Sequence, residues 1–312
     1  MGAEKKKKRS WIKIVFISLF ILFLAVGTYA FTVYRSLTSA VDTMHQPLER
    51  EKSERRDEKV TLKKQQPFSI LMLGVDERKG DRGRSDSMIV LTVNSNKKSV
   101  KMLSIPRDTR TEIVGRGKED KINHAYAFGG IEMAMNTVEQ FLDIPIDYYV
   151  QINMEGFKDI VDAVGGVKVN NKFEFTSGGD TFPKGEINLN GESALKYSRM
   201  RYEDPRGDFG RQNRQRDIIQ AVISRGASFQ SITSFGDIFA ALGKNVRTNL
   251  TFDEMVEIQK NYKEAGKNVQ QLELKGTGTK INKIYYYTVP NEIRKSIQND
   301  LKAQLEINSQ ID

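Results

Sequence analysis

The run FSILMLGVDERKGDRGRSDSMIVLTVNSNKKSVKMLSIPRDT, residues 68–109, holds three apolar stretches separated by polar loops. Phe68–Val75 is almost continuously apolar, and Ser87–Val93 and Ser99–Ile105 repeat the pattern. Short runs rich in Val, Ile, Leu and Met read as buried strands. The polar stretch Asn94–Lys98 reads as the hairpin connection between the second and third. An antiparallel meander of this kind brings the end of strand one, the start of strand two and the end of strand three to one rim. Asp76 follows the first strand, Asp86 precedes the second, and Arg107 and Asp108 follow the third. Two carboxylates and an arginine are therefore expected to converge there. Gly80 and Gly83 let the connecting loop bend closely around a ligand, and Pro106 marks where the third strand stops. Neighbouring carboxylates repel unless a cation or proton lies between them. Mg2+ suits such a pair, because it takes one or two carboxylates together with phosphate oxygens and water. A hairpin with solvated aspartates accounts for the same residues, so both readings stand at this point.

Downstream, strands and helices alternate. Ile131, Met135, Val138 and Leu142 recur at helical spacing after Gly129-Gly130, which are expected to open that helix. Ile146–Ile152 reads as a strand, and Phe157–Val164 as a helix ended by Gly165-Gly166, with Val167–Val169 as a strand after it. Asn190–Arg199 and Arg211–Ser224 read as helices, and Thr251 with Glu254 as a capping box. Ile284–Val289 is a strand stopped by Pro290, and Ile293, Ile297, Leu301 and Leu305 form the stripe of a last helix. The interleaving predicts a single α/β domain over residues 67–312, a mixed central sheet covered by helices.

The second chemical signal is a cluster of arginines. Arg199, Arg201, Arg206, Arg211, Arg214 and Arg216 occur within eighteen residues that hold no lysine. Arginine is the residue of choice where a planar fork grips phosphate oxygens. At about 100° per residue, Arg211, Arg214 and Gln215 share a stripe with Ile218 and Val222. They are expected to point inward at a helix start, where the dipole also attracts anions. Arg216 falls off that stripe and is expected at the surface, while Asp208 is expected to cap the helix. An internal ion-pair network with Glu203, Asp204 and Asp208 is the alternative.

The amino-terminal end addresses the compartment. Residues 1–13 carry six basic side chains against Glu4, a net of +5. Residues 14–34 follow without one charge. As a helix they measure roughly 31 Å at about 1.5 Å per residue, enough to cross a bilayer. The run is longer than the apolar region of a cleaved signal peptide, so a retained anchor is expected, with a cytoplasmic tail and the rest outside. Residues 35–66 alternate charges, as in Glu49–Lys59, and read as a solvated polar stalk. Of the formal net charge of +9, only +4 remains for residues 14–312. The absence of cysteine excludes disulfides, thiolate metal sites and a cysteine nucleophile. With only His45 and His124 present, a histidine metal site has little to draw on. His124, just before a helix, is read as structural.

The stretches LGVDERKGDRGRSDSMIVLTVN (73–94), SIPRDT (104–109), KINHAYAFGG (121–130) and ALKYSRMRYEDPRGDFGRQNRQRDII (194–219) resemble the LytR-CpsA-Psr family, with the match densest over residues 67–225. The likeness is nearest to its wall teichoic acid transferases. It implies a membrane-anchored phosphotransferase of the cell envelope. Such an enzyme moves an anionic glycopolymer from an undecaprenyl-pyrophosphate carrier to peptidoglycan, with Mg2+ as cofactor and no nucleic acid partner. By motif, the resemblance makes Asp76 and Asp86 the metal-side aspartates and Arg107 the catalytic arginine. Arg199, Arg201, Arg211 and Gln215 become the pyrophosphate ligands, with Arg214 beside them from the helical stripe. Asp76 is a candidate base for the attacking hydroxyl. The prenyl chain is expected in an apolar pocket between sheet and helices. Two other readings compete: a membrane-tethered transcriptional regulator and a non-catalytic module that binds polyprenyl phosphate.

Overall fold

The computed structural model describes residues 2–75, 83–228, 243 and 245–307. Asp76 lies outside the described residues, as do Gly80 and the rest of 76–82. In chain order the first elements are α1 (Gly2–Met44), β1 (Phe68–Val75), β2 (Ser85–Asn94), β3 (Ser99–Ser104), β4 (Arg110–Ile113), β5 (Lys118–Lys121) and α2 (His124–Leu142). They are followed by β6 (Tyr148–Ile152), α3 (Met154–Ala163), β7 (Val167–Asn171), β8 (Phe175–Ser177), β9 (Asp180–Phe182), β10 (Gly185–Leu189) and α4 (Gly191–Arg199). The remainder comprises α5 (Asp208–Ala227), β11 (Val246–Thr248), α6 (Phe252–Tyr262), β12 (Val269–Glu273), β13 (Thr277–Ile281), β14 (Ile284–Thr288) and α7 (Asn291–Leu305).

The meander forms as its pattern predicts: β1 pairs antiparallel with β2, and β2 with β3. It sits at the centre of a mixed six-stranded sheet ordered β11-β6-β1-β2-β3-β12, in which β6 joins β1 and β12 joins β3 in parallel. Alternate side chains serve opposite faces. Leu71, Leu73 and Val75 pack with Val138, Leu142, Leu301 and Leu305 of α2 and α7. Phe68, Ile70 and Met72 face Ile219, Ile223 and Tyr262 of α5 and α6. Both faces are thus covered, which is why the strands read as unbroken apolar runs. A third cluster joins α3, α4, β7 and β10 to the last turn of α1 through Val41 and Met44.

Local chemistry sets the helix ends. Thr251 and Glu254 exchange side-chain and backbone bonds in the capping box that their spacing predicts, and Asn190 with Ser193 makes a second. Gly129-Gly130 behaves differently from expectation. α2 begins at His124, and the glycine pair kinks it, with Gly130 at φ 67° and ψ −153°, a backbone that glycine adopts without steric penalty.

The segment 35–66 also departs from expectation. Instead of standing off as a solvated stalk, it is drawn onto the domain by three arginines of its alternating-charge run. Arg50 binds Glu139 through both Nη atoms and also donates to the Ile146 carbonyl; Arg55 pairs with Asp143. Arg56 grips Asp147 at 2.9 and 2.8 Å, and Asp147 also accepts from the Ser69 amide. Val60 and Leu62 are buried against β1 and α6 residues. Charge patterning could not reveal this, because the acidic partners Glu139, Asp143 and Asp147 lie about 90 residues downstream.

α1 is one helix through residues 14–34 and carries Phe16, Ile17, Phe20, Leu22 and Phe23 fully in the open. Its side chains are described without a break only from Val15 to Tyr29. Among the described residues no helix is long and apolar enough to cross a membrane. The carboxyl end of α1 is fastened to the domain: Tyr34 meets Phe252 edge to face, and Gln46 N donates to Thr248 O at 2.8 Å.

The buried Arg56–Asp147 pair yields a stability prediction. Asp147→Ala leaves an arginine and the Ser69 amide without their acceptor and should lower the unfolding free energy by about 3–5 kcal/mol. Urea unfolding of the two proteins measures it, and an unchanged midpoint would show that the strap is not held this way.

Candidate functional site

At the meander rim the expected convergence is present for the two residues described. Asp86 is the second residue of β2, and Arg107 follows β3. Arg107 Nη1 donates to Asp86 Oδ1 at 2.6 Å. Asp108, beside it, accepts from Lys121 Nζ at 2.6 Å and lies 3.7 Å from Arg107 Nε. Asp76, expected as the second carboxylate, lies outside the described residues, so its place relative to Asp86 is not part of this geometry.

α5 brings the arginines to the same rim. Its N-cap is Gly207, with no side-chain cap; Asp208 is the first helical residue, a correction to the capping role expected for it. Asp208 instead serves the cluster, with Oδ1 2.8 Å from Arg211 Nη2 and 4.0 Å from Arg201 Nε. Arg211 also reaches the Asp86 carbonyl at 3.4 Å. One turn on, Gln215 Oε1 accepts from Ser87 Oγ at 3.0 Å. Arg107, Arg201, Arg211 and Gln215 thus surround Asp86 and Asp208. Arg199 is not brought into that set; it is exposed at the end of α4, with Nη1 3.6 Å from Met154 Sδ.

Arg214 departs from its expected role. Its whole guanidinium is engaged inside the protein, by Asp204 Oδ2 at 2.6 Å and by the carbonyls of Tyr197 and Met200. Asp204 in turn fits because position 210 is glycine: a Cβ there would lie 1.7 Å from the carboxylate. The internal ion-pair alternative therefore holds for Arg214, which fastens the end of α4 to α5. Arg216, expected at the surface, is buried too and bonds to Gln271 and Asn213. Single-stripe reasoning failed here because α5 is packed on two sides, Ile218 and Val222 in one cluster and Ile219 and Ile223 in another.

The electrostatics separate the arginines. Burial alone disfavours charge on Arg107, but its hydrogen bond to Asp86, with Asp208 and Asp108 nearby, holds the guanidinium above its ordinary value. Arg211 is shifted the other way. Burial is the largest cause; the attraction of Asp208 and Asp86, set against repulsion from Arg107 and Arg201, does not make it up. Among the described residues at this rim, Arg107, Arg201, Arg211 and Lys121 stand against Asp86, Asp108 and Asp208, an excess of one positive charge that a phosphate group would relieve.

Ser87 is a member of the site that sequence reasoning missed, while Asp208 pairs with the arginines as the ion-pair alternative expects. Asp208 stands at i,i+3 to Arg211, a spacing that signals an ion pair. His124 holds Asp120 at 2.9 Å through Nδ1 and stacks edge-on with Phe128, in keeping with a structural role. A cavity of about 790 Å³ lies about 20 Å along α5 from Arg211 by helix rise. Its wall mixes Lys168, Asn188 and Arg225 with Val167 and Leu189, so it does not supply the apolar prenyl pocket expected between sheet and helices.

A divalent cation can be tested against the residues present. Asp86 has a side chain 44% exposed and lies beside Arg107 and Arg211, a setting in which Mg2+ could share a phosphate ligand. Among the described residues no group of three or more His, Asp or Glu forms a cage of its own. Such an ion would draw its remaining ligands from phosphate and water.

The family model described as the LytR_cpsA_psr family matches residues 31–303. The chain belongs to that family. Over 306 residues, 98% of this chain and 99% of the relative, it is 53% identical to the polyisoprenyl-teichoic acid–peptidoglycan teichoic acid transferase TagU of Bacillus licheniformis. The solved structure of TagT bound to LIIa-WTA superposes with a TM-score of 0.73 at 32% identity, covering 84% of this chain and all of that one. A crystal structure from Enterococcus faecalis, described as a transcriptional regulator, superposes with a TM-score of 0.74 at 42% identity, covering 80% and 91%.

Arg214 and Arg201 should separate in a stability measurement. Arg214→Ala strands buried Asp204 and should destabilise the fold by about 3–5 kcal/mol. Arg201→Ala, at an exposed and loosely paired residue, should stay within about 0.5 kcal/mol. Calorimetry of both variants checks this, and equal losses would contradict the division between a structural and a ligand-facing arginine.

Proposed function

We propose that this chain is a phosphotransferase that moves a wall-teichoic-acid-type anionic polymer from an undecaprenyl-pyrophosphate carrier to a peptidoglycan hydroxyl. The observation that carries the reading is the meeting of Arg107, Arg201 and Arg211 at one sheet rim, in a chain 53% identical to a named teichoic acid transferase. Peptidoglycan oxygen forms a bond to the phosphorus that bears the polymer. The bridging bond to the second phosphate breaks, and undecaprenyl phosphate leaves with the electron pair.

The chain's own part is to bind and to offset charge. Arg211, Arg201 and Gln215 hold the pyrophosphate; Arg199 would have to swing from its place beside Met154 to join them. Arg107, fixed by Asp86, faces the charge that develops on the transferred phosphoryl group, the main device in such chemistry. A hydroxyl proton must go to a base, and Asp76 is the candidate. Mg2+, held by Asp86 and Asp76, would neutralise pyrophosphate charge when bound.

Residues 14–34 within α1 would be the membrane anchor, the +5 tail keeping the amino terminus cytoplasmic and the domain outside. The regulator reading lacks support in the site. Arg214 and Arg216 are buried on internal partners, and α5 offers no exposed basic face of the kind that reads DNA.

Arg107→Ala should reduce transfer by about 10²–10³-fold, the scale for losing a transition-state donor, while leaving melting temperature nearly unchanged. Transfer of a labelled lipid-linked polymer to peptidoglycan measures it, and full activity would refute the catalytic assignment. Chelation should abolish transfer and added Mg2+ restore it; activity that persists in chelator removes the metal role from Asp86 and Asp76.

A further inference from the structure

The stretch Lys275–Tyr287, KGTGTKINKIYYY, holds three lysines and three tyrosines, and no carboxylate occurs between Glu273 and Glu292. It folds as the β13–β14 hairpin, turned by Asn282-Lys283 with φ of 50° and 68°, the left-handed pair that two-residue hairpins require. Its inner edge is tied to the catalytic segment. Tyr287 N donates to Asp108 O at 2.8 Å, Thr109 bridges to Tyr287, and the buried Tyr287 ring packs 5.3 Å from Phe209, two residues before Arg211. Arg110 and Lys121 lie 6.0 and 5.9 Å from the Tyr286 ring centroid, close enough for cation–π attraction.

The outer part is open. Lys275, Lys280 and Lys283 are exposed, and none is in a salt bridge among the described residues. Tyr285 is 44% exposed and lies over Gly278, where an added Cβ would meet its ring at 2.7 Å. Ile281 and Ile284 are exposed beside it. Asp108 and Glu119, on the segment to which the hairpin is tied, are already paired with Lys121 and Arg110. A surface of free ammonium groups and a flat ring, contiguous with Arg107, complements a chain that alternates phosphate with sugar or polyol.

We propose that the β13–β14 hairpin is a subsite for the phosphate-bearing polymer of the donor, beyond its pyrophosphate. Lys275, Lys280 and Lys283 meet the repeating phosphates, and Tyr285 packs on the intervening carbon skeleton. The inference rests on the transferase reading above. A lipid surface is the weaker occupant: α1 docks at the β11 edge of the sheet and the hairpin follows β12 at the other, about 24 Å away across six strands.

The test compares the full-length protein with its Lys275→Ala/Lys280→Ala/Lys283→Ala variant on two lipid-pyrophosphate donors. One carries a long phosphate-linked chain, and the other only the first sugars. The variant should raise KM for the long donor about tenfold, leave KM for the short donor within about twofold, and weaken binding of a lipid-free glycerol-phosphate oligomer in parallel. Equal effects on both donors, or on neither, would overturn the subsite. So would loss of binding to phosphatidylglycerol vesicles with oligomer binding unchanged. If the wild-type protein transfers neither donor, the transferase reading itself fails, and the subsite falls with it.

Discussion

Three guanidinium groups held at one rim repel, and the arrangement persists because Asp86 and Asp208 stand between them. Asp86 arrives on β2 and Asp208 on α5, from segments more than a hundred residues apart. The rim is therefore as secure as the contact between sheet and helix. That contact is apolar on both flanks of α5, and it is reinforced at the helix start by the Arg214–Asp204 pair. A residual positive excess remains after this compensation. It is the physical property on which the proposed binding of a pyrophosphate would rest.

Much of this was legible in the amino-acid order. The meander follows from three apolar runs and one polar turn, and β1 spans the eight residues that the pattern marks. The meeting of Asp86 with Arg107 follows from antiparallel geometry alone. The capping box of Thr251 and Glu254 declared one helix start, since its bonds are local and need no tertiary partner. What failed was long-range. A helical wheel assumes one buried stripe, yet α5 buries Gln212, Arg214 and Arg216 together with Ile218. No spacing rule shows that the carbonyls of Tyr197 and Met200 await an arginine. Arg50 and Arg56 were read as solvated for the same reason, their acceptors being Glu139 and Asp147.

The arginine cluster shows how one residue type divides between two duties. Arg214 and Arg216 find neutral amide, carbonyl or carboxylate acceptors within the fold, so their forks are satisfied before any ligand arrives. Arg107, Arg201 and Arg211 share two carboxylates among three charges and keep donors in reserve. Lysine could replace the charge at either kind of position but not the fork. At Arg214, the Tyr197 carbonyl, the Asp204 carboxylate and the Met200 carbonyl each take a different nitrogen of the fork, an arrangement that a single ammonium does not reproduce.

The joint between α1 and the domain bears on how such a site meets a lipid-borne substrate. A helix that ran into a free polar linker would leave the domain at many orientations above a membrane. Here Val41 and Met44 are buried with residues of α3, α4 and α5, Tyr34 rests on Phe252, and His45 and Gln46 continue into β11. The strap that follows is then drawn back along the domain by Arg50, Arg55 and Arg56. With residues 14–34 in a bilayer, the arginine rim would keep one attitude to the surface. The carrier's pyrophosphate, confined to that surface, would meet the guanidinium groups without a search over domain orientations. The polar segment 35–66 thus contributes through its packing, and its alternating charges are the means by which a chain too polar for a core is nevertheless held in place.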